Sequence, residues 1–380
     1  MLYLTGYIFR IIQHIGVYNM DLFKFTNNNK TQLLEGSPIL NYDSIMWIER
    51  YKEPGEFTLT AKLSSGLQSF LPLGSIISHA KTYEACIVEN HEISETSDLD
   101  PIIKITGRSL DSYLENRIVG LNIALNSPTA PPTQYELALD KLDTQIVQLI
   151  NDHIDLNNDI YAYCDDISII EESRIIKRQT VSSAVIDLLS LDDFGIRVIR
   201  ENPYSITSPF STNTTLLYIH KGNDHSNDVI FSWNLGELES ASYLFSIKSL
   251  KNAALVQSTY FEVVVYDDNT LDPYDIRYMI VDASDLDRSL TELPTETEIT
   301  ELVNKLITRG FESLSTQKSI NISSINVSKS TQYNYREHYD IGDIVSISGN
   351  YGIIEQRRVI EYVEIEDENG EVGYPTLSAI

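Results

Sequence analysis

Hydrophobic and polar residues alternate with a period of two in the stretch that best predicts the fold. Residues 56–62, EFTLTAK, alternate polar and apolar positions, as a strand with one buried face does. Residues 45–48, IMWI, are uninterrupted and apolar, which favours a strand covered on both faces, with Trp47 as its core residue. Pro54 and Gly55 lie between the two runs and suit a tight reversal. The pattern predicts a β-hairpin.

Short strands of this kind continue through the first hundred residues and return after residue 310. Runs such as LPLGSIISHA, YEACIVENHEI and PIIKITG follow at close intervals, which favours a sandwich or a small barrel. We predict an α+β, β-rich fold class with β-barrel or sandwich domains at both ends, in residues 20–118 and 310–380. An α+β middle, residues 119–309, separates them, and prolines within residues 128–132 mark its beginning.

Three runs of the middle region have a helical period. Thr133–Glu136 has the spacing of a capping box, and apolar residues continue at helical intervals to Ile150, so a helix is predicted to begin there. A second helix is predicted at residues 181–191. A third begins at the capping box Thr295–Glu298 and is predicted to end at Gly310, because glycine favours the position after a helix. Strands between these helices complete the α+β pattern.

The first 19 residues are predicted to be an amphipathic helical extension. The residues that share its apolar face are Leu4, Ile8, Ile11 and Ile15. Such a face needs a partner surface, so we predict that it docks on another protein or another copy. Polar residues interrupt the stretch, so a signal peptide is not expected. An alternative is a natural start at Met20, because the strand-like run DLFKF follows it directly.

The charge of the chain limits its partners. Its 380 residues include 55 acidic and 28 basic residues, for a formal net charge of −27. Tight binding to duplex DNA rests on clustered lysine and arginine, so it is not expected, and anionic membranes are disfavoured for the same reason. The two cysteines, Cys86 and Cys164, are too few for a disulfide framework or a zinc site.

Motif searches nominate no catalytic, cofactor-binding or metal-binding residue. The phosphate-binding loops, the serine nucleophile elbow and the HExxH zinc motif are absent from the sequence. The nearest calcium-loop candidate runs from Asp155 to Asp166, but Ile160 stands where the loop needs glycine. His220 and His225 fit a solvated loop better than a metal site. We therefore predict that the chain is not an enzyme and uses no cofactor.

Certain turn and strand residues resemble those of a known family. They are Trp47, Arg50, Gly55, Phe57, Gly107, Arg117 and Gly342, the last within the run YDIGDIV of residues 339–345. In this pattern the chain after Met20 resembles the tail-hub proteins of tailed bacteriophages, which include baseplate hubs and the amino-terminal part of tail-associated proteins.

The resemblance implies a structural hub in the tail tip or baseplate of a virion. Such a hub is a homotrimeric ring that joins the tail tube to a central spike or fibre. The implied partners are a distal tail or tube protein and a spike, fibre or tape-measure protein, with DNA only in transit and no integral membrane segment.

The alternative is a β-rich carbohydrate-binding or glycan-cleaving tail protein that uses aromatic platforms and a carboxylate pair. The two tryptophans, Trp47 and Trp233, lie in apolar strand contexts, whereas sugar platforms are exposed. This favours the hub.

Overall fold

The computed structural model describes most of the chain. The residues that it describes are 22–28, 32–79, 81–82, 84–96, 99–120, 134–154, 160–200, 215–246, 248, 250–267, 275–286, 295–315, 320–329 and 331–380. The predicted N-terminal helix, the proline-rich boundary and the start of the calcium-loop candidate lie outside these residues.

The described elements are mostly strands. In chain order they are β1 Leu22–Asn28, β2 Gln32–Pro38, β3 Ser44–Arg50, β4 Glu56–Lys62, β5 Ile76–His79, β6 Cys86–Thr96, β7 Leu99–Ser109, β8 Gln134–Lys141, β9 Ile160–Cys164, β10 Glu171–Lys177, β11 Gly195–Arg200, β12 Thr215–His220, β13 Ile230–Ser232, β14 Leu238–Ser246, β15 Ala253–Gln257, β16 Glu262–Tyr266, β17 Tyr278–Asp282, β18 Ile320–Val327, β19 Ile344–Ser348, β20 Ile354–Asp367 and β21 Gly370–Ala379. The helices are α1 Leu67–Phe70, α2 Leu142–His153, α3 Val181–Leu189 and α4 Glu296–Ser315. Short 3-10 helices are Leu63–Ser65, Leu110–Asn116, Trp233–Leu235 and Asn350–Gly352. The predicted β-rich class is confirmed.

One sheet contains strands from both ends of the chain. Its strand order is β13-β19-β20-β3-β4-β7-β6-β5-β1-β2, and β21 pairs with β20. The two ends join through the antiparallel pair β3–β20, in which Trp47 lies opposite Glu364 and Arg50 lies opposite Glu361. The β-rich ends therefore share one hydrogen-bonded ladder, a pairing that local sequence patterns do not reveal.

The hairpin of β3 and β4 has the predicted form. The strands are antiparallel with Trp47 opposite Phe57. In β4 the apolar side chains are buried and the polar ones are more exposed, so the alternation marks a core-facing side. Trp47 and Phe57 belong to an apolar core with residues of β5, β6 and β7. The prediction from the period of two is confirmed.

The hairpin between β20 and β21 is also present, with a small shift. Its turn residues are Glu368 and Asn369, and Gly370 begins β21 with a φ of 112°. An Asn-Gly pair is typical of a two-residue hairpin turn, and here the turn lies one residue before Asn369–Gly370. The glycine is needed for its positive φ rather than as the second turn residue.

A second core lies where α2 and α3 pack together beside the three-stranded sheet β11-β12-β9. The helix predicted to begin near residue 133 begins at Leu142 instead. Residues Gln134–Lys141 form β8, which pairs antiparallel with β10. Tyr135, Leu137 and Leu139 also alternate with a period of two, so the segment fits both a helical and a strand pattern. Its pairing with the distant strand β10 selects the strand.

The helix predicted at residues 181–191 is confirmed as α3. Thr180 caps it, because its Oγ1 accepts a hydrogen bond from the N–H of Ser183 at 3.2 Å. Val181, Val185 and Leu189 are buried. The helix thus presents one apolar face to the second core.

A separate core lies between α4 and one face of the sheet β16-β15-β17. The predicted capping box opens α4, because the N–H of Glu298 donates to Thr295 Oγ1 at 3.3 Å and the N–H of Thr295 donates to Glu298 Oε2 at 2.7 Å. The predicted end at Gly310 is wrong, since α4 continues to Ser315. A Cβ at Gly310 would lie 2.7 Å from Cγ2 of Val265, so this glycine permits close helix–sheet packing.

The chain divides into two compact units. One contains Met1–Glu239 and Asn326–Ser378 with Ile380, and the other contains Ser240–Ile325 with Ala379. The second unit holds α4 and its three-stranded sheet. The division predicted from the sequence places its limits elsewhere, at 118 and 309, and stays a prediction.

Candidate functional site

Three of the residues that carry the family resemblance lie at the centre of the first core. The Trp47 ring stacks with Phe57 at a centroid distance of 5.9 Å and meets the edge of His79 at 5.0 Å. A Cβ at Gly107 would overlap the carbonyl of Ile87 on the neighbouring strand. These residues fix the packing of the sheet rather than present chemistry to solvent.

Arg50 and Arg117 connect segments at the surface of the same unit. Arg50 pairs with Glu56 at 2.8 Å and with Glu361 at 2.9 Å, which links the hairpin to β20. Gly55 lies in the turn, where a Cβ would lie 2.5 Å from the carbonyl oxygen of Ile48. The carbonyl of Arg117 accepts a hydrogen bond from the first residue of α3 at 2.9 Å. Each of these residues has a structural role in the described chain.

Tyr51, directly after β3, lies where three parts of the chain meet. It is 1% exposed. Its hydroxyl donates to the carbonyl of Asp193 at 2.6 Å, and its own carbonyl accepts from the N–H of Ile196 at 2.8 Å. A Cβ on Gly195 or Gly342 would overlap its ring. Both glycines are therefore required for the ring to fit, which gives Gly342 of the resemblance a physical role.

Glu49, two residues earlier, is a buried carboxylate with several partners. Its Oε1 accepts from Thr82 Oγ1 at 2.6 Å and pairs with Arg336, and its Oε2 accepts from the Tyr335 hydroxyl at 2.6 Å. Arg336 has a φ of 64°, which is uncommon for a residue with a side chain. A satisfied buried network of this kind holds one arrangement, so it fixes residues 335–336 against β3.

Further charged groups surround Tyr51. Arg197 donates to both carboxylate oxygens of Asp340, at 2.8 and 2.6 Å, and the Arg358 guanidinium lies 5.5 Å from the Tyr51 ring centre. Burial, with the nearby Arg197 charge, lowers the pKa of His220 to about 3. His220 is therefore neutral and buried, which corrects the prediction that it lies in a solvated loop. We call Glu49, Tyr51, Arg197, Arg336 and Asp340 the polar junction.

A groove of about 350 Å³ opens beside the polar junction. Its main lining residues are Tyr333, Tyr335, Tyr339, Tyr362, Glu364 and Glu371, and we call it the tyrosine groove. The rings of Tyr335 and Tyr362 stack at 3.8 Å with an angle of 17°. Its volume lies within the range of small-molecule sites.

Two carboxyl groups in the tyrosine groove change each other's pKa. Burial, together with a hydrogen bond to Glu371, raises the pKa of Glu364 to about 8. Burial opposes ionisation of Glu371 as well, but its hydrogen bonds with Glu364 and Lys81 lower its pKa. Near neutral pH the pair therefore holds one proton, which resides on Glu364.

The second unit exposes an apolar sheet face opposite α4. Val264 and Ile280 both lie beside Leu255 in the register, and Tyr266 and Tyr278 both lie beside Ala253. The exposed members are Val264 at 43%, Ile280 at 69%, Tyr266 at 38% and Tyr278 at 50%. Contiguous exposed apolar residues of this kind mark interaction surfaces.

The described residues contain no group of three or more His, Cys, Asp or Glu side chains that could hold a metal ion. No helix among them is long and apolar enough to cross a membrane. The docking candidates Leu4, Ile8, Ile11 and Ile15 lie outside the described residues, and their role stays a prediction. Sequence analysis missed Glu49, Tyr51 and the tyrosine groove, because their partners are distant in sequence.

Comparisons with known proteins identify a phage family. The chain matches the family model described as Siphovirus ReqiPepy6 Gp37-like protein over residues 28–376. No match was found among curated protein sequences.

Solved structures of tail proteins have a similar fold over most of their length. The prophage MuSo2 43 kDa tail protein from Shewanella oneidensis is 12% identical with a TM-score of 0.57, covering 94% of this chain and 97% of that chain. The tail protein from Neisseria meningitidis MC58 is 10% identical with a TM-score of 0.52, covering 94% and 96%. The prophage tail protein gp18 from Listeria monocytogenes EGD-e is 12% identical with a TM-score of 0.50, covering 93% and 94%.

The family match spans most of the chain, and the shared fold covers nearly the full length of this chain and of the three compared chains. Both findings confirm the resemblance to phage tail proteins that the turn and strand residues indicated. The chain belongs to the Siphovirus ReqiPepy6 Gp37-like family of phage tail proteins.

Proposed function

We propose that this structural tail protein is the hub of the tail tip or baseplate, a homotrimeric ring that joins the tail tube to a central spike or fibre. The observation that carries the proposal is the fold shared with three tail proteins over 93–94% of this chain, combined with the family match. Its partners would be a distal tail or tube protein on one side and a spike, fibre or tape-measure protein on the other.

The paired charges and the exposed apolar face of the described residues support a role in assembly rather than in catalysis. Several of the chain's charged groups are paired within the fold, such as Glu49 with Arg336 and Arg197 with Asp340. Groups paired in this way hold segments together and are not available to a substrate. The exposed face of β15, β16 and β17 offers apolar area whose burial would favour association. These features suit a protein whose task is to hold neighbours in place.

Passage of DNA is the second part of the proposed function. The formal charge of −27 per chain repels phosphate groups. A ring built from such chains would let DNA slide through without retaining it, provided that acidic residues outnumber basic ones along its axis. The alternative explanation of the charge is solubility, since a net charge far from zero keeps an abundant protein dispersed.

The mass of the purified chain in solution tests the ring directly. Mass photometry over a dilution series is expected to show a species of three times the 43.1 kDa chain mass. A monomer at every concentration would contradict the homotrimer. Fusion of an electron-dense tag to the chain in assembled virions would test the location, with labelling along the whole tail tube rather than at its end as the contrary result.

A further inference from the structure

The sheet β16-β15-β17 packs one face against α4 and exposes an apolar row on the other face, which we call the outer sheet face. The row consists of Val264, Leu255 and Ile280, which lie next to one another in the register. Val264 is 43% exposed and Ile280 is 69% exposed. The strands β15 and β17 are parallel, and sheets with parallel strands are normally covered on both faces. A second layer is therefore expected on this side.

The outer sheet face is acidic at one end. Glu262 and Asp282 are exposed, and both lie beside Gln257 in the register. Their hydrogen-bond partners are neutral groups, because the Gln257 amide donates to Glu262 at 2.8 Å and the N–H of Ser284 donates to Asp282 at 2.9 Å. Both carboxylates therefore keep their negative charge. Like charges repel across an interface, so the partner needs an apolar row and no acidic residues beside it.

The first 19 residues of the chain meet both requirements. The docking candidates recur at helical spacing from Leu4 to Ile15, and the segment contains Arg10 but no aspartate or glutamate. In a helix the row from Leu4 to Ile15 is about 16 Å long. The strands of this sheet have five residues each, and a strand of that length also measures about 16 Å. One helix therefore matches the apolar row in length.

We propose that residues 1–19 of a neighbouring copy form a helix that packs on the outer sheet face, with the docking candidates against Val264, Leu255 and Ile280. The helix comes from a second copy because Val264 and Ile280 are exposed in the single chain. The contact presupposes the homo-oligomer of the proposed function, and it adds the surfaces through which neighbouring copies hold one another. Burial of the apolar row drives it.

Photo-crosslinking from the outer sheet face tests the contact in the full chain. Ile280→benzoylphenylalanine places the reactive group in the apolar row, and isotope-labelled and unlabelled copies are mixed before irradiation. Mass spectrometry of the digested product is expected to find cross-links to residues 1–19, including pairs that join a labelled copy to an unlabelled one. Ile354→benzoylphenylalanine is the control, because Ile354 lies on β20 and is 72% exposed. It should not reach residues 1–19.

Charged substitutions measure how much the contact contributes to assembly. Ile280→Asp and the double variant Ile8→Asp/Ile11→Asp each place charge in the apolar contact, and each is expected to weaken association by about tenfold or more. Ile354→Asp should leave association unchanged. Mass photometry over a dilution series measures the shift, and circular dichroism confirms that the variants are folded.

The outcomes separate this contact from the proposed ring. A trimer that forms without cross-links between Ile280 and residues 1–19 of another copy would overturn the contact and leave the ring standing. Such cross-links in an oligomer other than a trimer would support the contact and contradict the ring. Cross-links within single copies alone, or to another tail protein in assembled virions in place of residues 1–19, would overturn the contact. A monomer at every concentration would overturn both.

Discussion

At the scale of single residues, the structure explains why several positions carry the family resemblance. Gly55, Gly107 and Gly342 each allow backbone or a ring to approach closely, and Arg50 links two strands through its ion pairs. Sequence patterns indicated that these residues matter. They did not indicate Tyr51, because the contacts that surround it come from residues 193–196 and 342, which only the folded chain brings together.

Gly342→Ala should destabilise the protein more than Gly74→Ala. Both glycines have a positive φ, 92° and 84°, so alanine costs about 1–2 kcal/mol of backbone strain at either site. At Gly342 the added Cβ also overlaps the Tyr51 ring, whereas nothing lies within 4 Å of a Cβ at Gly74. Overpacking adds roughly 1–3 kcal/mol. Urea unfolding of the two variants measures the difference. Equal losses in the free energy of unfolding would mean that the Tyr51 ring moves aside without a loss of stability.

Glu364→Gln should change how stability depends on pH. The pKa of Glu364 is about 8 in the folded chain against a usual value of 4.5. The folded state therefore holds a proton that the unfolded state releases, and the free energy of unfolding falls as the pH rises from about 4.5 to about 8. Glutamine stays neutral, so the variant should be the more stable protein above pH 8, by on the order of 1 kcal/mol.

The lowered pKa of Glu371 affects the pH dependence only below about pH 4.5, so it leaves this gain unchanged. Urea unfolding at about pH 6 and about pH 9 measures it. Glu368→Gln, which removes a charge from the exposed turn before β21, controls for net charge. A variant that loses stability equally at both pH values would show that Glu364 acts through its shape and hydrogen bonds alone.

At the scale of elements, periodicity predicted most helices and strands but misplaced some of their ends. The β3–β4 hairpin and α3 follow directly from their patterns. Gln134–Lys141 fits both a strand and a helix, and only its pairing with β10 selects the strand. Glycine often follows the last residue of a helix. Gly310 instead lies within α4, because it faces the sheet and permits close packing there. Local sequence patterns are ambiguous where contacts with a segment distant in sequence determine the secondary structure.

Gly310→Ala should lower stability, although alanine is the better helix former by about 1 kcal/mol. The new methyl group would lie 2.7 Å from Cγ2 of Val265 and 2.9 Å from Cγ2 of Val256, so the helix and the sheet must separate. The double variant Gly310→Ala/Val265→Ala should recover part of the loss, with a coupling of roughly 1 kcal/mol. Thermal unfolding of the four proteins in the cycle measures this, and additive losses would argue against the contact.

At the scale of the whole molecule, the sequence predicted the β-rich class and the phage family. It did not predict that strands from the two ends of the chain pair in one sheet. The pair β3–β20 joins the two ends in one sheet, and the polar junction fixes residues 335–340 beside it. Neither feature has a local signature, because its energy comes from contacts between segments that are far apart in sequence. The tyrosine groove is lined largely by these late segments and was hidden for the same reason.

The purified chain should not bind duplex DNA, even at low ionic strength. With a formal charge of −27 it repels phosphate, and repulsion is strongest where salt screens least, at about 20 mM salt or below. Several basic side chains of the described residues already pair with carboxylates, as Arg50 does with Glu56 and Glu361 and Arg108 does with Glu89 and Glu115. An electrophoretic mobility shift assay against a basic protein of similar size as positive control measures this.

A band shift that disappears as salt is added would reveal a basic patch strong enough to hold DNA, and it would contradict a ring through which DNA slides freely.

If no band shift is seen, the proposed trimer and its charge lead to a further prediction about DNA release. Lysine substitutions at acidic residues that face the ring axis should slow DNA release from virions, and the same substitutions on the outer surface should not, because only charges near the DNA path act on it at physiological salt, where the screening length is about 8 Å.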